Sequence, residues 1–217
     1  MSKVRAHISM SLDGYVAGPN QSGDNPLGEG GEQLHDWVTR LKAWRELQGM
    51  EGGEDNVSSA IVQEETDNVG AEIMGRGKFG PPEGGPWDDS WQGWWGEDPP
   101  FHMPVFVLTH YEREPLRLSD TTFTFVTDGI ESALAQAREA AGDKDVFIGG
   151  GASIINQYLA AGLVDEIELH VVPLVLGSGA RLLEAVGSGI KLEQLRAVEA
   201  PGVTHLKYRV VSTVGPG

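Results

Sequence analysis

Residues 145–159 read DVFIGGGASIINQYL, and three glycines separate an apolar segment typical of a buried strand from one typical of a helix. Glycine is a poor helix former and loses more backbone freedom on folding than other residues, so the run needs a physical reason. Glycines after a strand let the backbone approach a bound phosphate or ring, while the N–H groups of the next helix face the anion. A tight strand-to-helix turn without a ligand would use the same residues, so the run alone leaves both interpretations open.

The glycine run departs from the dinucleotide fingerprint G-x-G-x-x-G. Gly149 and Gly151 fit the first two positions of that fingerprint, but Ile154 occupies the third. We therefore do not expect a standard Rossmann nucleotide site.

Strand and helix patterns alternate around the glycines. Apolar residues recur at helical spacing from Leu34 to Leu47 and predict a helix over 32–47, and Asn56 is a suitable N-cap for a second helix over 57–68. The same criteria predict helices at 130–142 and 152–162 and strands at 4–10, 71–75, 103–110, 121–127, 145–149, 165–177, 190–199 and 203–213. This alternation predicts an α/β fold with a largely parallel sheet covered on both faces.

Charge and composition argue against several classes of function. The 217 residues include 16 Lys and Arg against 32 Asp and Glu, and the formal charge of −16 would repel nucleic acid and anionic membranes. Without cysteine there is no disulfide or thiolate metal site, and we predict no metal. The N-terminal apolar stretch is interrupted by Asp13 and Gly14, and no later run is long enough to span a bilayer. We expect a cytoplasmic protein that binds a small molecule.

Five motifs occur in a fixed order along the chain. They are SLDGYVAG (11–18), IMGRGKF (73–79), VFVLTH (105–110), VFIGGGASIINQYL (146–159) and VDEIELHVVPLVLGSGARLL (164–183). Together they resemble the dihydrofolate-reductase-like superfamily, and more closely the C-terminal reductase domain of the bifunctional riboflavin-biosynthesis deaminase/reductase. The resemblance covers roughly residues 3–213.

The resemblance implies a fold and a reaction. The fold is a central, mostly parallel sheet flanked by helices, with an antiparallel C-terminal hairpin, and it forms one domain over residues 1–217 with insertions at about 19–70 and 80–102. The implied reaction is NADPH-dependent hydride transfer to a small heterocyclic or carbonyl substrate, most like that of 5-amino-6-(5-phosphoribosylamino)uracil reductase. Related reductases commonly form homodimers.

Two alternative functions stay open at this point. One is reduction of a pterin, dihydrofolate-type or unrelated carbonyl substrate. The other is a cofactor-binding protein without turnover that binds a partner through Trp87, Trp91, Trp94 and Trp95, although these tryptophans would equally pack the loop onto the core or cover a substrate.

The resemblance also implies a set of cofactor-binding residues. Gly149 and Gly150 are expected to be joined by a cis peptide beside the NADPH, and Lys78 stands where the family usually has a hydroxyl. The positions that match the family's cofactor site are Ser9, Val16 and Ala17 around the nicotinamide, Gly75, Arg76, Gly77 and Lys78 at the phosphates, Thr109 and His110 on the adenosine side, and Gly149, Gly150, Gly151, Ala152, Ser153 and Ile154 at the diphosphate.

Two aspartates are candidates for the catalytic acid. Asp36 lies in the predicted helix over 32–47, in roughly the region where dihydrofolate reductases carry a carboxylate, but a charge on an amphipathic helix is commonly solvated. Asp13 belongs to the SLDG motif of the riboflavin-reductase family, but it also suits an ordinary Asp-Gly turn.

Overall fold

The computed structural model describes residues 2–80 and 85–211. The strands in those residues are β1 Val4–Ser11, β2 Tyr15–Ala17, β3 Val69–Gly75, β4 Pro104–Leu108, β5 Leu116–Leu118, β6 Thr121–Val126, β7 Asp145–Ile148, β8 Glu166–Val172, β9 Ala180–Arg181, β10 Lys191–Ala200 and β11 Val203–Val211. The helices are a 3₁₀ helix Gly31–His35, α1 Asp36–Thr39, α2 Lys42–Leu47, α3 Val57–Thr66, α4 Arg76–Phe79, α5 Ile130–Ala141 and α6 Ala152–Ala160.

Nine of the described strands form one sheet, in the order β10-β11-β8-β1-β7-β3-β4-β6-β5. The strands from β8 to β6 in that order run parallel to one another. In contrast, β11 runs antiparallel to both β8 and β10, and β5 runs antiparallel to β6. The predicted α/β fold with an antiparallel C-terminal hairpin is therefore confirmed. The parallel strands end at one edge of the sheet, where open α/β sheets bind their ligands.

Alternate residues of the parallel strands pack into different clusters on the two faces of the sheet. Ala6, Ile73 and Ile148 belong to the largest cluster, which also contains the apolar residues of α5 and α6. On the other face, one cluster packs beneath the tryptophan-rich loop, which carries Trp87, Trp91, Trp94 and Trp95; its buried members are Met74, Phe79, Val105, Val107 and Phe123. A second cluster packs beneath the 3₁₀ helix and α1; its buried members are Leu34, Trp37, Leu41, Val62, Val172 and Val203.

Helix α3 begins where the sequence predicts. The Asn56 side chain accepts a hydrogen bond from the Ser58 amide at 2.9 Å, and the Asn56 amide donates to the Ser59 hydroxyl at 3.3 Å. This reciprocal pair is a capping box, which satisfies amides at the start of the helix. The helix lies against three strands. Glu65 approaches His7 of β1 and His170 of β8, and Ser58 approaches His205 of β11.

Two of the predicted elements are wrong in extent. The predicted helix over 32–47 is broken into the 3₁₀ helix, α1 and α2, because Leu41 is extended and forms a β-bridge with Glu54. The predicted strand over 165–177 ends at Val172, because Pro173 has no amide to continue the ladder.

Some predictions reach beyond the described residues. Residues 81–84 of the predicted insertion at 80–102 and residues 212 and 213 of the last predicted strand lie outside them. The prediction of one domain over 1–217 likewise stays a prediction. In the described part of the chain, no helix has the length and apolar character needed to cross a bilayer.

Candidate functional site

The glycine run lies at the edge where the parallel strands end. The Gly149 amide donates to the Ile73 carbonyl at 2.8 Å, and the Gly75 amide donates to the Gly150 carbonyl at 2.9 Å. The glycine turn, residues 149–151 after β7, therefore both donates a hydrogen bond to β3 and accepts one from it. These bonds bring together the predicted glycines of two motifs. The cis peptide joins Gly150 and Gly151, not Gly149 and Gly150 as predicted. The prediction is wrong by one residue because Gly149 still hydrogen-bonds to β3, so the chain leaves the sheet later.

The four glycines at this edge differ in why a side chain would or would not fit there. A Cβ on Gly149 would overlap the Glu72 carboxylate, and a Cβ on Gly75 would lie 2.6 Å from Cγ1 of Ile154. Gly150 has a φ of +94°, which L side chains rarely adopt. By contrast, a Cβ on Gly151 would meet no atom of residues 2–80 or 85–211 within 4 Å. Packing therefore accounts for Gly75 and Gly149, whereas the space beside Gly151 is open to a ligand.

Helix α6 begins directly after the open glycine. In the part of the chain that the structure describes, no side chain hydrogen-bonds to the start of this nine-residue helix, whose N-cap is Gly151. Ala152 is buried, Ser153 is exposed and Ile154 packs onto the main core. The first-turn N–H groups of a helix attract an anion, and here no capping side chain competes for them.

Arg76, at the start of α4, lies against the tryptophan-rich loop. Its guanidinium carbon is 4.0 Å from the centre of the Trp87 ring and 5.4 Å from that of Tyr111, and Nη1 donates to the Gly85 carbonyl. Among the described residues, Nε and Nη2 of Arg76 are buried without a hydrogen-bond partner. Buried donors in native proteins are almost always paired, so this guanidinium is suited to receive an anion.

The tryptophan-rich loop packs onto the sheet. Trp87, Trp91 and Trp95 contact the cluster around Phe79 and Phe123, and the Trp87 ring crosses Phe79 edge-on at 5.7 Å. This packing favours the interpretation that the tryptophans fix the loop to the core over the interpretation that they bind a partner.

Other predicted cofactor residues are engaged with the protein itself. Lys78 forms an ion pair with Glu72 at 2.7 Å, so its predicted contact with a phosphate has a competitor. The Thr109 hydroxyl accepts from the Tyr111 amide at 3.2 Å, whereas His110 is exposed. The indole of Trp37 donates to the hydroxyl of Ser9 at 3.1 Å.

The remaining nicotinamide candidates lie in a small second sheet. Val16 and Ala17 are buried in β2, which pairs with β9. The carbonyl oxygen of Ala17 and the backbone of Gly18 approach Gly179 so closely that a side chain on Gly179 would collide with them. For all these residues, contact with a cofactor stays a prediction.

The two aspartate candidates differ in their surroundings. Asp13 accepts hydrogen bonds from the Ser11 hydroxyl at 2.6 Å and from the amides of Leu176 and Gly177 at 3.1 and 2.7 Å. The Ser11 hydrogen bond, followed by the two amides, lowers the pKa of this half-buried carboxyl from 3.8 to about 2, so it is a poor proton donor at neutral pH. Asp36 is exposed on a cleft of about 300 Å³ that Pro173 and Pro201 also line. A catalytic role for either aspartate stays a prediction that this geometry does not favour.

A buried polar chain that none of the sequence motifs indicates consists of Ser58, His205, His170 and Glu65. The Ser58 hydroxyl lies 2.9 Å from Nε2 of His205, and the two Nδ1 atoms of His205 and His170 are 2.8 Å apart. Nε2 of His170 lies 2.7 Å from Oε1 of Glu65, a contact too bent for an aligned hydrogen bond, which we therefore treat as electrostatic. Three segments far apart in the sequence thus form one continuous chain of polar atoms.

The buried polar chain leads to His7 on β1. Oε2 of Glu65 lies 3.8 Å from Nε2 of His7, so the two carboxylate oxygens face two different histidines. The His7 ring stacks on Phe147 with centroids 4.2 Å apart, and Nζ of Lys78 lies 5.9 Å from the centre of the Phe147 ring. Phe147 is two residues before Gly149, so His7 lies close to the glycine turn.

The charge states of this region follow from burial and neighbours. Burial lowers the pKa of His7 and of His205 from 6.5 to about 4, against the attraction of Glu65. Burial opposes ionisation of Glu65, but attraction to His7 and His170 outweighs it and lowers the pKa of this carboxyl from 4.5 to about 2. At neutral pH, Glu65 is therefore ionised, whereas His7 and His205 are neutral.

One sequence signal could have revealed this region. Polar residues recur at every second position in both central strands, as Arg5, His7, Ser9 and Ser11 in β1 and as Glu166, Glu168 and His170 in β8. A strand in a parallel sheet that is covered on both faces has no solvent face to explain such a pattern. Within the described residues, no group of three or more His, Asp or Glu is arranged to hold a metal ion.

Comparisons with curated proteins identify two relatives from Bacillus subtilis (strain 168). YwjB, an uncharacterized protein, is 31% identical over 195 residues, which are 88% of this chain and 87% of YwjB. YyaP, also uncharacterized, is 30% identical over 118 residues, which are 52% of this chain and 62% of YyaP.

Solved structures share the fold at low sequence identity. A putative riboflavin biosynthesis protein from Shewanella sp. PV-4 has a TM-score of 0.63 and 22% identity, with 97% of this chain and 99% of that chain covered. A deaminase/5-amino-6-(5-phosphoribosylamino)uracil reductase from Thermotoga maritima has a TM-score of 0.57 and 13% identity, with 97% of this chain and 57% of that chain covered. Dihydrofolate reductase from Enterococcus faecalis, complexed with NADP(H), has a TM-score of 0.52 and 12% identity, with 97% of each chain covered.

The family model described as the RibD C-terminal domain matches residues 2–206. It includes all of β1 to β10, the glycine turn and the buried polar chain. Because the model matches nearly the whole chain, and YwjB is similar over 88% of it, this protein belongs to the RibD C-terminal domain family.

Proposed function

We propose that this protein is an NADPH-dependent reductase that transfers hydride to a small heterocyclic or carbonyl substrate. Two of the structural neighbours are named reductases, and one of them is complexed with NADP(H). The observation that carries the proposal is the edge formed by Gly151, the uncapped start of α6 and Arg76. Among the described residues, this edge combines open space, helix N–H groups and a guanidinium with two donors that have no partner.

The residues at this edge fit NADPH. The backbone from Gly149 to Ser153 would hold the diphosphate, and Arg76 would hold the 2′-phosphate, with Thr109 and His110 beside the adenosine. When bound, the cofactor supplies the hydride. The protein would contribute by orienting the reactants and excluding water, not by covalent chemistry.

The substrate belongs, in this proposal, on the sheet face that His7, Phe147 and Lys78 share. Phe147 offers a ring to stack on, and the Lys78 ammonium offers hydrogen bonds to ring carbonyls. 5-Amino-6-(5-phosphoribosylamino)uracil is the leading candidate because the Thermotoga neighbour carries that substrate in its name. Cytoplasmic location and a homodimer stay predictions.

The test measures NADPH oxidation by the purified protein with a panel of pyrimidine, pterin and carbonyl substrates. We expect the phosphoribosylaminouracil to give the highest kcat/KM. A pterin with a higher value would redirect the substrate assignment. NADPH binding without oxidation of any substrate would contradict the reductase and favour a cofactor-binding protein.

Ser153→Asp tests the cofactor site in the same experiment. An acidic residue in the first turn favours the helix but repels a diphosphate, so folding should be kept while NADPH affinity falls about tenfold or more. Ser132→Asp makes the same change in the first turn of α5, away from the glycines, and should leave NADPH affinity unchanged. Equal affinities for both variants would contradict the proposed diphosphate position.

A further inference from the structure

An ion pair lies directly against the glycine turn. Nζ of Lys78 is 2.7 Å from Oε1 of Glu72, a residue that is only 4% exposed on the interior strand β3. A Cβ on Gly149 would lie 2.0 Å from Oε1 of Glu72 and 2.7 Å from Nζ of Lys78. The ammonium therefore fits at this edge of the sheet because residue 149 has no side chain.

Stability alone does not explain this ion pair. Moving two charges out of water costs free energy that their attraction offsets only in part, and apolar residues of similar size often stabilise a core equally well. The pair lies on β3, which is flanked by β4 and β7 in the parallel part of the sheet, where apolar residues are the rule. A buried pair at such a place, with a glycine that makes room for it, favours a functional reason.

The ammonium of Lys78 keeps protons that a ligand can take. An ammonium has three donors, and the Glu72 carboxylate uses one of them. Nζ also lies 5.7 and 5.9 Å from the centres of the Phe101 and Phe147 rings, and 31% of the Lys78 side chain is exposed. The ammonium is thus held in place on the proposed substrate face while it stays open to a ligand.

The other candidate acids are poorer proton donors. Asp13 is ionised at neutral pH, because hydrogen bonds, chiefly from the Ser11 hydroxyl, lower the pKa of its carboxyl to about 2. Burial lowers the pKa of His7 to about 4, so its ring is neutral at neutral pH. Asp36 lines the cleft at the end of β8. Lys78, in contrast, brings a charged N–H donor to the glycine turn.

We propose that Lys78 is the catalytic acid of the reduction and that Glu72 is the residue that positions it. This inference rests on the proposed reductase function. When hydride adds to the carbon of a C=O or C=N group, the π pair moves onto the oxygen or nitrogen, and that atom takes up one proton. Lys78 contacts that atom and gives it the proton, while the substrate ring lies beside Phe147.

The transfer consumes one proton and needs no other reactant. An N–H bond of Lys78 breaks as the new O–H or N–H bond of the product forms, which leaves a neutral amine beside the Glu72 carboxylate. An alkoxide or a nitrogen anion is much more basic than an amine, so the proton moves toward the product. After the product leaves, solvent water reaches the exposed part of the Lys78 side chain and returns the proton.

The first test measures NADPH binding and requires no turnover. The resemblance places Lys78 at the cofactor phosphates, so a phosphate ligand and a substrate acid predict different results for Lys78→Gln. Glutamine keeps an N–H donor for Glu72 but carries no charge. The Kd for NADPH should stay within about twofold of the wild-type value. A larger rise would assign Lys78 to the cofactor phosphates and overturn the proposal.

The second test measures turnover of Lys78→Gln with the substrate that the wild type reduces best. The variant should lower kcat about 100-fold, the lower end of the range for a positioned proton donor. The control is Lys3→Gln, because Lys3 forms a similar ion pair with Glu166 at 2.6 Å, where β1 and β8 begin. Lys3→Gln should keep the wild-type kcat. A Lys78→Gln variant that also keeps it would overturn the proposal.

Chemical rescue separates proton donation from a purely structural effect. Lys78→Ala removes the ammonium together with most of its alkyl chain. Added ethylammonium supplies a protonated amine and should restore turnover in proportion to its concentration. Tetramethylammonium carries the same charge but no N–H proton, and it should restore none. Equal rescue by both cations, or by neither, would overturn the role of Lys78 as the acid.

The positioning role of Glu72 is tested through Lys78. Glu72→Gln keeps an oxygen that can accept from the ammonium but removes the negative charge, and it should lower kcat about tenfold with little change in KM. In the Lys78→Gln chain the same change should have no further effect on kcat, because Glu72 acts only through Lys78. Additive losses in the double variant would overturn this role.

The outcomes separate this inference from the proposed function. A wild type that oxidises NADPH with a substrate, together with an unchanged kcat in Lys78→Gln, would overturn the inference alone. A wild type that reduces no substrate would overturn the proposed function, and the catalytic role of Lys78 with it.

Discussion

Arg76 combines a fixed position with unused hydrogen-bonding capacity. It stacks on Trp87 and donates through Nη1 to the Gly85 carbonyl, which holds the guanidinium in place before any ligand arrives. Nε and Nη2 are buried without partners in the described part of the chain. In a chain with a formal charge of −16, such local donors are needed to bind an anionic group.

Arg76→Ala should therefore remove most of the preference for NADPH over NADH. We expect the wild type to bind NADPH at least about tenfold more tightly, since charge-assisted hydrogen bonds to the 2′-phosphate are worth about 1.5–3 kcal/mol each. Added salt should reduce this advantage. Fluorescence titration of both cofactors into wild type and variant measures the four dissociation constants.

The control for this prediction is Arg138→Ala, which removes an exposed arginine in the last turn of α5. It changes the net charge equally but should leave the preference for NADPH intact. Two results would contradict the assignment of Arg76 to the 2′-phosphate. One is a wild type that binds NADPH and NADH with equal affinity, and the other is an Arg76→Ala variant that loses the same factor of affinity for both cofactors.

At the scale of elements, α6 is held close to the end of β3 because Gly75 has no side chain. Gly75 donates to the Gly150 carbonyl, and Ile154 in the first turn of α6 fills the space where a Cβ would be. Gly75 has φ −81° and ψ 156°, which any residue adopts, so the need for glycine comes from packing alone.

Gly75→Ala should lower the free energy of unfolding by about 1–3 kcal/mol, the usual cost of overpacking. Ile154→Ala in the same chain should recover part of the loss in Gly75→Ala, because it removes the colliding atoms. Urea unfolding of both single variants and the double variant gives the coupling energy. Gly77→Ala is the matched control, since a Cβ there meets nothing within 4 Å, and it should not destabilise. Additive losses in the double variant would refute the packing explanation.

Predictions from sequence succeeded where local signals agree with tertiary structure. Asn56 marks the start of α3 because the cap is formed by residues of the same turn. The helix over 32–47 failed because the bridge between Leu41 and Glu54 overrides helical periodicity, and a bridge partner thirteen positions away leaves no trace in the apolar pattern. The glycine edge was predicted from motifs. The buried polar chain was not, because Ser58, Glu65, His170 and His205 come together only when β8 and β11 pair beneath α3.

At the scale of the whole molecule, two neutral histidines, the half-buried His7 and the buried His205, make stability depend on pH. The pKa of His7 and of His205 is lowered from 6.5 to about 4 by burial, so between these values the unfolded chain binds protons that the folded chain does not. The free energy of unfolding should therefore fall as the pH decreases from 6.5 toward 4, with a slope of up to about 1.4 kcal/mol per pH unit for each histidine.

Urea unfolding at a series of pH values checks this dependence. His205→Gln should flatten the slope by about one proton, because its side chain does not titrate in either state. His110→Gln, which changes an exposed histidine, should keep the wild-type slope. A His205→Gln slope equal to that of the wild type would mean that His205 titrates alike in the folded and unfolded chains.

The order of the strands has a consequence for how the chain is made. β1 lies between β7 and β8, so Val4 pairs with Val146 and Arg5 pairs with Glu166. These pairings between distant parts of the sequence form slowly, because the chain loses the entropy of a long loop before the strand contacts can stabilise it. On the ribosome, β1 therefore emerges before both of its neighbours. It has neither neighbour until β7 ends at residue 148, and it has both only after residue 172, the end of β8. The N-terminal half of the chain therefore needs the C-terminal half to complete the sheet. A nascent chain that stalls before β7 has been made leaves both edges of β1 unpaired and open to pairing with other chains.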